Sequence, residues 1–104
     1  MASLNESMTF KARIEQVLTA ALAEWETIES VAQDWQTWDA FSKMQYVADW
    51  PVKEDHLQQL QAWSDAGQLI PKQQERFQKL LSTVSQTRPI AERLFHEMSL
   101  YDYP

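Results

Sequence analysis

The chain contains a single glycine, Gly67, among its 104 residues. Folds built from strands use glycine in tight hairpin turns and bulges, where the backbone adopts left-handed or otherwise strained conformations. The near-absence of glycine therefore predicts helices, and the abundance of Ala, Leu, Gln, Glu and Lys favours them as well. A chain of this length forms one core, so we expect one all-α domain over residues 1–104, with residues 1–6 and 101–104 loose.

Apolar residues recur every three or four positions along the first third of the chain. The positions are Ile14, Leu18, Ala21, Trp25, Ile28, Ala32 and Trp35. This spacing predicts a long N-terminal helix over residues 7–34 that carries a heptad seam. Val17, Leu22 and Val31 widen the seam to roughly half of the helix circumference, which is more than the ~100° stripe of a helix that packs on one side only.

Two further helices are predicted between the N-terminal helix and the glycine. Thr37 and Asp39 can cap a helix over residues 37–49. Pro51 suits the first turn of the next helix. Gly67 suits the position just after that helix ends, because glycine tolerates the left-handed conformation found there.

Two prolines divide the C-terminal third of the chain. Pro71 suits the first turn of a helix, whereas Pro89 would interrupt that helix and predicts either a kink or the start of a fifth helix. The sequence therefore predicts a compact bundle of four or five helices. Each helix should contribute to the core, through Leu18, Trp25, Ile28, Phe41, Leu60, Phe77, Leu80 and Leu94.

Charge and composition argue against several classes of function. The net charge is −6, and an acidic chain repels both phosphate backbones and anionic membrane surfaces, so we expect neither a nucleic-acid nor a membrane partner. No stretch resembles a signal peptide or approaches the roughly 18 apolar residues of a membrane span. Cysteine is absent, which fits a reducing compartment, and we expect a cytoplasmic protein.

The sequence also lacks the patterns of catalytic and metal-binding sites. His56 and His96 are the only histidines, and neither follows a glutamate by three residues, as the ligands of di-iron bundles do. No HExxH motif or Cys/His cluster is present for zinc. No serine lies in a GxSxG turn, and one glycine cannot build a phosphate-binding loop. We therefore expect no enzymatic activity, no metal and no cofactor.

The five tryptophans all lie beside or near acidic residues. Trp25, Trp35 and Trp63 occupy predicted apolar faces, so their acidic neighbours are explained by the rim of a buried helix face. Trp38 and Trp50 lie near predicted helix ends, where a ring flanked by carboxylates can hold a Lys or Arg of a partner. Core packing of both rings is the alternative. The predicted partner site consists of Trp38, Asp39, Asp49, Trp50 and Glu54.

Three functions are compatible with this pattern. The first is a non-catalytic protein–protein interaction module, a small homo-oligomeric adaptor or regulatory subunit that forms a homodimer through its N-terminal helix. The second is an acidic inhibitor, like an antitoxin or an immunity protein, that covers a basic site on a partner protein. The third is a helical bundle whose aromatic residues line a small-ligand pocket. Glutamines crowd the helices predicted between residues 58 and 78, which is typical either of a plain exposed face or of a face that loses water readily against a partner.

Overall fold

Helices are the only regular elements in the computed structural model, which describes the backbone of residues 2–101 and the side chains of residues 10–98. The helices are α1 (Ala2–Glu26), α2 (Ile28–Asp34), α3 (Ala40–Ala48), α4 (Trp50–Asp65) and α5 (Pro71–Tyr101). A 3-10 turn at Trp35–Thr37 joins α2 to α3. The all-α prediction is confirmed. The ends predicted to be loose, residues 1–6 and 101–104, lie outside the described side chains.

Single residues separate some of these helices, so the described backbone forms three bent rods. Thr27 lies between α1 and α2, and Asp49 lies between α3 and α4, and both keep helix-like backbone angles. Pro89 lies inside α5, which continues through it although proline cannot donate a hydrogen bond to the carbonyl of Ser85. The rods are α1–α2, α3–α4 and α5, and the predicted count of four or five separate helices is not confirmed.

The core lies where α1 packs against α4 and α5, and it extends to the contact between α2 and α5. Its largest fully buried side chains include Trp25, Trp35, Phe77, Leu18, Ile28, Leu60 and Leu80. The bundle measures 59 × 26 × 20 Å. Within the described part of the chain, no helix has a stretch long and apolar enough to cross a bilayer.

The prediction that Phe41 belongs to the core is wrong, because its side chain is 72% exposed. The other seven residues predicted for the core are buried. At ~100° per residue, Phe41 lies about 140° around the helix from Tyr46. Since Tyr46 packs against the inner rings of the bundle, Phe41 is turned to the outside.

Gly67 ends α4 in the way that the sequence predicts. Its φ angle is +72°, in the left-handed region that favours glycine. Its N–H donates to the carbonyl of Ser64 at 3.0 Å, and the N–H of Gln68 donates to the carbonyl of Trp63 at 2.9 Å. These two bonds form a Schellman motif, which satisfies carbonyls that have no partner inside the helix.

Replacing Gly67 by alanine is expected to lower the free energy of unfolding by about 1–2 kcal/mol, since a Cβ disfavours the left-handed conformation. Crowding is not the cause, because a Cβ at this position would meet no atom within 4 Å. Urea titration measures the change, and Gly67→Asn is the matched control because asparagine tolerates this conformation better. Equal losses in both variants would contradict a backbone explanation.

Candidate interaction site

The predicted partner site lies around the start of α3 and the bend between α3 and α4. Asp39 precedes α3 with an extended backbone, and its carboxylate accepts a hydrogen bond of 2.7 Å from the backbone N–H of Ser42. This bond, together with one from the Ser42 hydroxyl, lowers the pKa of Asp39. Asp39 therefore carries a negative charge at neutral pH. Its role as a helix cap is confirmed, and it marks α3 as separate from the N-terminal helices.

The inner side of this region carries a cluster of aromatic rings. Trp50 meets Trp25 and Phe95 edge-on, with ring centroids 5.0 and 4.8 Å apart. Tyr46 connects Trp50 to Trp38, at 6.2 and 5.8 Å. These separations lie in the range that favours aromatic pairs. We call the six rings the aromatic cluster: Trp25, Trp35, Trp38, Tyr46, Trp50 and Phe95.

Cations of the chain itself lie over four rings of the aromatic cluster. They are Lys43 over Trp35 at 5.5 Å, Lys53 over Tyr46 and Trp50 at 4.7 and 5.5 Å, and Arg88 over Trp25 at 5.0 Å. Cation–π attraction of this kind was predicted for a Lys or Arg of a partner. At Trp50 a partner's cation would compete with Lys53, so the contacts of this ring favour a role inside the protein.

The acidic residues of the predicted site divide into two groups. Glu54 is partly buried, and its Oε1 lies 2.5 Å from a guanidinium nitrogen of Arg88, so this ion pair joins α4 to α5. Asp39 and Asp49 are exposed. Glu54, Trp38 and Trp50 are each partly buried and partly exposed, whereas the two aspartates are exposed. Described ring contacts link Trp38 to Trp50 through Tyr46, and the role of the five residues as one partner site stays a prediction.

A polar contact borders the aromatic cluster. Nδ1 of His56 lies 3.0 Å from a carboxylate oxygen of Glu24, which links α4 to α1. Burial, and then the charge of Glu24, raise the pKa of Tyr46, so this phenol stays protonated. The Tyr46 hydroxyl has no hydrogen-bond partner among the described residues. Across those residues, no group of three or more His, Cys, Asp or Glu side chains is placed to hold a metal ion.

The opposite side of α3–α4 carries apolar residues in solvent. Phe41, Met44 and Val52 are 72, 57 and 52% exposed, and Ala48 is exposed as well. Steps of three and four residues place them along one side of the rod. At ~1.5 Å per residue they form a stripe about 16 Å long. We call this stripe of Phe41, Met44, Ala48 and Val52 the outer face.

Exposed charges around the outer face are acidic. Asp39 precedes its first residue by two positions, Asp55 follows its last residue by three, and both are exposed. Asp49 is exposed beside it. The two lysines of this region are partly buried instead and lie over rings of the aromatic cluster. The outer face is thus an apolar stripe with an acidic rim.

Sequence reasoning missed the outer face, although a signal for it is present. Apolar residues in α3–α4 follow two separate periodicities, one through Tyr46 and Trp50 and the other through Phe41, Met44 and Val52. A helix that is apolar on two sides needs two neighbours. Among the described residues, Tyr46 and Trp50 contact other rings of the bundle, whereas Phe41, Met44 and Val52 are exposed.

A shallow groove lies on α5 beyond the proline. It has a volume of about 470 Å³ and is lined by Pro89, Glu92, Arg93, His96 and Glu97. Small-ligand sites are usually enclosed and mostly apolar, with a few placed polar groups. Most of the surface that lines this groove is apolar, but the groove is open to solvent, so it differs from such enclosed sites.

Comparison with known proteins gives no match. No protein-family model matches the chain, no curated protein matches it, and no solved structure matches it.

Proposed function

We infer that the protein is a non-catalytic protein–protein interaction module that binds its partner through the outer face. The observation that carries this proposal is the exposure of Phe41, Met44 and Val52 at helical spacing. Contiguous apolar residues rimmed by polar ones mark interaction surfaces, because water is released from them when a partner binds. A stripe of residues at i, i+3, i+7 and i+11 is also how helices are commonly recognised.

Part of the apolar flank of the N-terminal helix is covered by the bundle itself, although Phe10 of the same helix is 37% exposed. The predicted homodimer depends on an apolar flank of this helix being open to solvent. Val17 and Leu22, which widen that flank, are partly buried and pack against the core of the same chain. Self-association through α1 stays a prediction, but the outer face of α3–α4 is the better supported contact surface.

The acidic rim favours the inhibitor-like alternative among the interaction functions. Asp39, Asp49 and Asp55 surround the outer face, so a basic partner surface would be attracted and an acidic one repelled. A protein that covers a basic site needs this combination of apolar contact and negative charge. The small-ligand alternative has less support, since the rings of the aromatic cluster pack against one another at 4.8–6.2 Å.

Photo-crosslinking in the native cells tests the proposed function. A photoreactive aromatic residue in place of Phe41, or of Met44 in a second variant, should give a specific covalent adduct, because the proposed partner lies against both positions. The matched control is the same residue in place of Gln86, which is exposed on α5. The mass of the adduct separates a second copy of this 12.2 kDa chain from another protein. Folded variants that give no adduct from position 41 or 44 would contradict the proposal.

A further inference from the structure

The shape of the outer face suits one α-helix as its partner. Its four residues lie in a single row along a rod, and the row is about 16 Å long at ~1.5 Å per residue. A helix laid alongside it presents about three turns of its own apolar stripe. Beyond the row, the same side of α4 continues with Gln59 and Ala62, which are exposed and uncharged. These side chains lose their water at a lower cost than Lys or Glu would.

The charges around the outer face indicate which kind of partner helix this face can bind. Asp39 precedes the first residue of the outer face and Asp55 follows its last, and both are exposed, so a carboxylate lies beyond each end of the row. A second copy of this chain, packed through the same face about a two-fold axis, would bring these acidic ends and Asp49 against acidic residues of its own kind. Like charges opposed across a contact are unfavourable, so self-pairing is disfavoured and a basic partner is favoured.

We propose that the outer face of α3–α4 binds a basic amphipathic helix of another protein. The apolar residues of that helix recur every three or four positions against Phe41, Met44, Ala48 and Val52. Lys or Arg residues at both ends of the stripe lie opposite Asp39 and Asp55. This inference rests on the proposed function and adds the chemical class of the partner.

A pair of synthetic peptides tests the inference on the full-length protein. Both are about 20 residues long, so that they form helices readily, and both carry leucines at helical spacing in the middle. One peptide has lysines at both ends, and the other has glutamates at the same positions. Fluorescence anisotropy should show the lysine peptide binding at least about tenfold more tightly at low salt, with the preference shrinking near ~0.5 M salt as the charges are screened.

Variants separate binding at the outer face from general attraction to an acidic protein. Phe41→Ser with Met44→Ser should weaken binding of the lysine peptide at least about tenfold, because the apolar contact is lost. Ile70→Ser is the matched control, since Ile70 is also apolar and 39% exposed but lies beyond the far end of α4. Asp39→Asn with Asp55→Asn should reduce the preference for lysine, and asparagine keeps the helix cap at position 39.

Four results would overturn the inference: no binding of the lysine peptide, equal binding of both peptides, unchanged binding in the double serine variant, or a dimer in sedimentation that the double serine variant abolishes. The last result would make a second copy the occupant of the outer face. The proposed function fails separately, through the absence of crosslinks from positions 41 and 44. Crosslinks to another protein together with equal binding of both peptides would contradict only the inference that the partner is a basic helix, and would leave the proposed function standing.

Discussion

Replacing Trp25 by alanine is expected to lower the free energy of unfolding by about 3–5 kcal/mol, the range for truncating a buried tryptophan. The side chain is fully buried in the core. Its ring meets that of Trp50 edge-on at 5.0 Å, and the guanidinium of Arg88 lies over it at 5.0 Å. Alanine would leave a cavity where α1, α4 and α5 meet, and both contacts would be lost. Urea denaturation followed by circular dichroism measures the change.

Phe41→Ala is the matched control, because it truncates an aromatic residue that is 72% exposed. Its effect on the free energy of unfolding should stay within about 0.5 kcal/mol, as for most surface substitutions. A loss at Phe41 comparable to that at Trp25 would mean that α3 packs by its other side. In that case the outer face would not exist in solution, and both proposals would fall.

Local features of the fold are those that the sequence predicts well. The left-handed angle at Gly67 and the cap at Asp39 each depend on a few neighbouring residues, so the chemistry of one residue type is enough to identify them. The buried residues of α1 follow from periodicity within a single helix. These signals need no knowledge of which helices become neighbours.

Features that depend on contacts between distant segments are not predictable in this way. Gln73 belongs to a run of glutamines typical of an exposed face, yet it is 1% exposed. Its amide donates to Glu15 at 3.0 Å and accepts from the N–H of Ile70 at 3.1 Å, so its polar atoms are satisfied in the core. The partner on α1 is 58 residues away along the chain. No local sequence pattern predicts a contact between residues so far apart in the chain.

The candidate site shows the same difference between local features, which the sequence predicts, and contacts between distant segments, which it does not. The sequence predicts a partner site from Trp38 to Glu54 because aromatic and acidic residues are mixed within this segment. In three dimensions the rings of Trp38 and Trp50 pack against Tyr46 and stay partly exposed, whereas the aspartates are exposed. The apolar periodicity of its helix predicts that Phe41 lies in the core, but periodicity does not decide which of two apolar sides of a helix meets the bundle. Which side of α3 is buried depends on the helices that lie next to it.

Replacing Leu80 by alanine is expected to cost about 2–5 kcal/mol in the free energy of unfolding, because burial is lost and a cavity remains. Leu80 is fully buried in the middle of α5, the helix that packs against both α1 and α2. Leu81 is the matched control: it is the next residue of the same helix and is only partly buried. Leu81→Ala should cost about half as much, since fewer of its atoms leave a closed contact. Urea titration of the two variants compares their free energies of unfolding directly.

A larger loss at Leu81 than at Leu80 would mean that α5 is rotated by about one residue, ~100°, relative to the rest of the bundle. The ion pair between Arg88 and Glu54, which joins α4 to α5, would then be wrong as well. Since this pair helps to orient α4, the exposure of the outer face would also be in error.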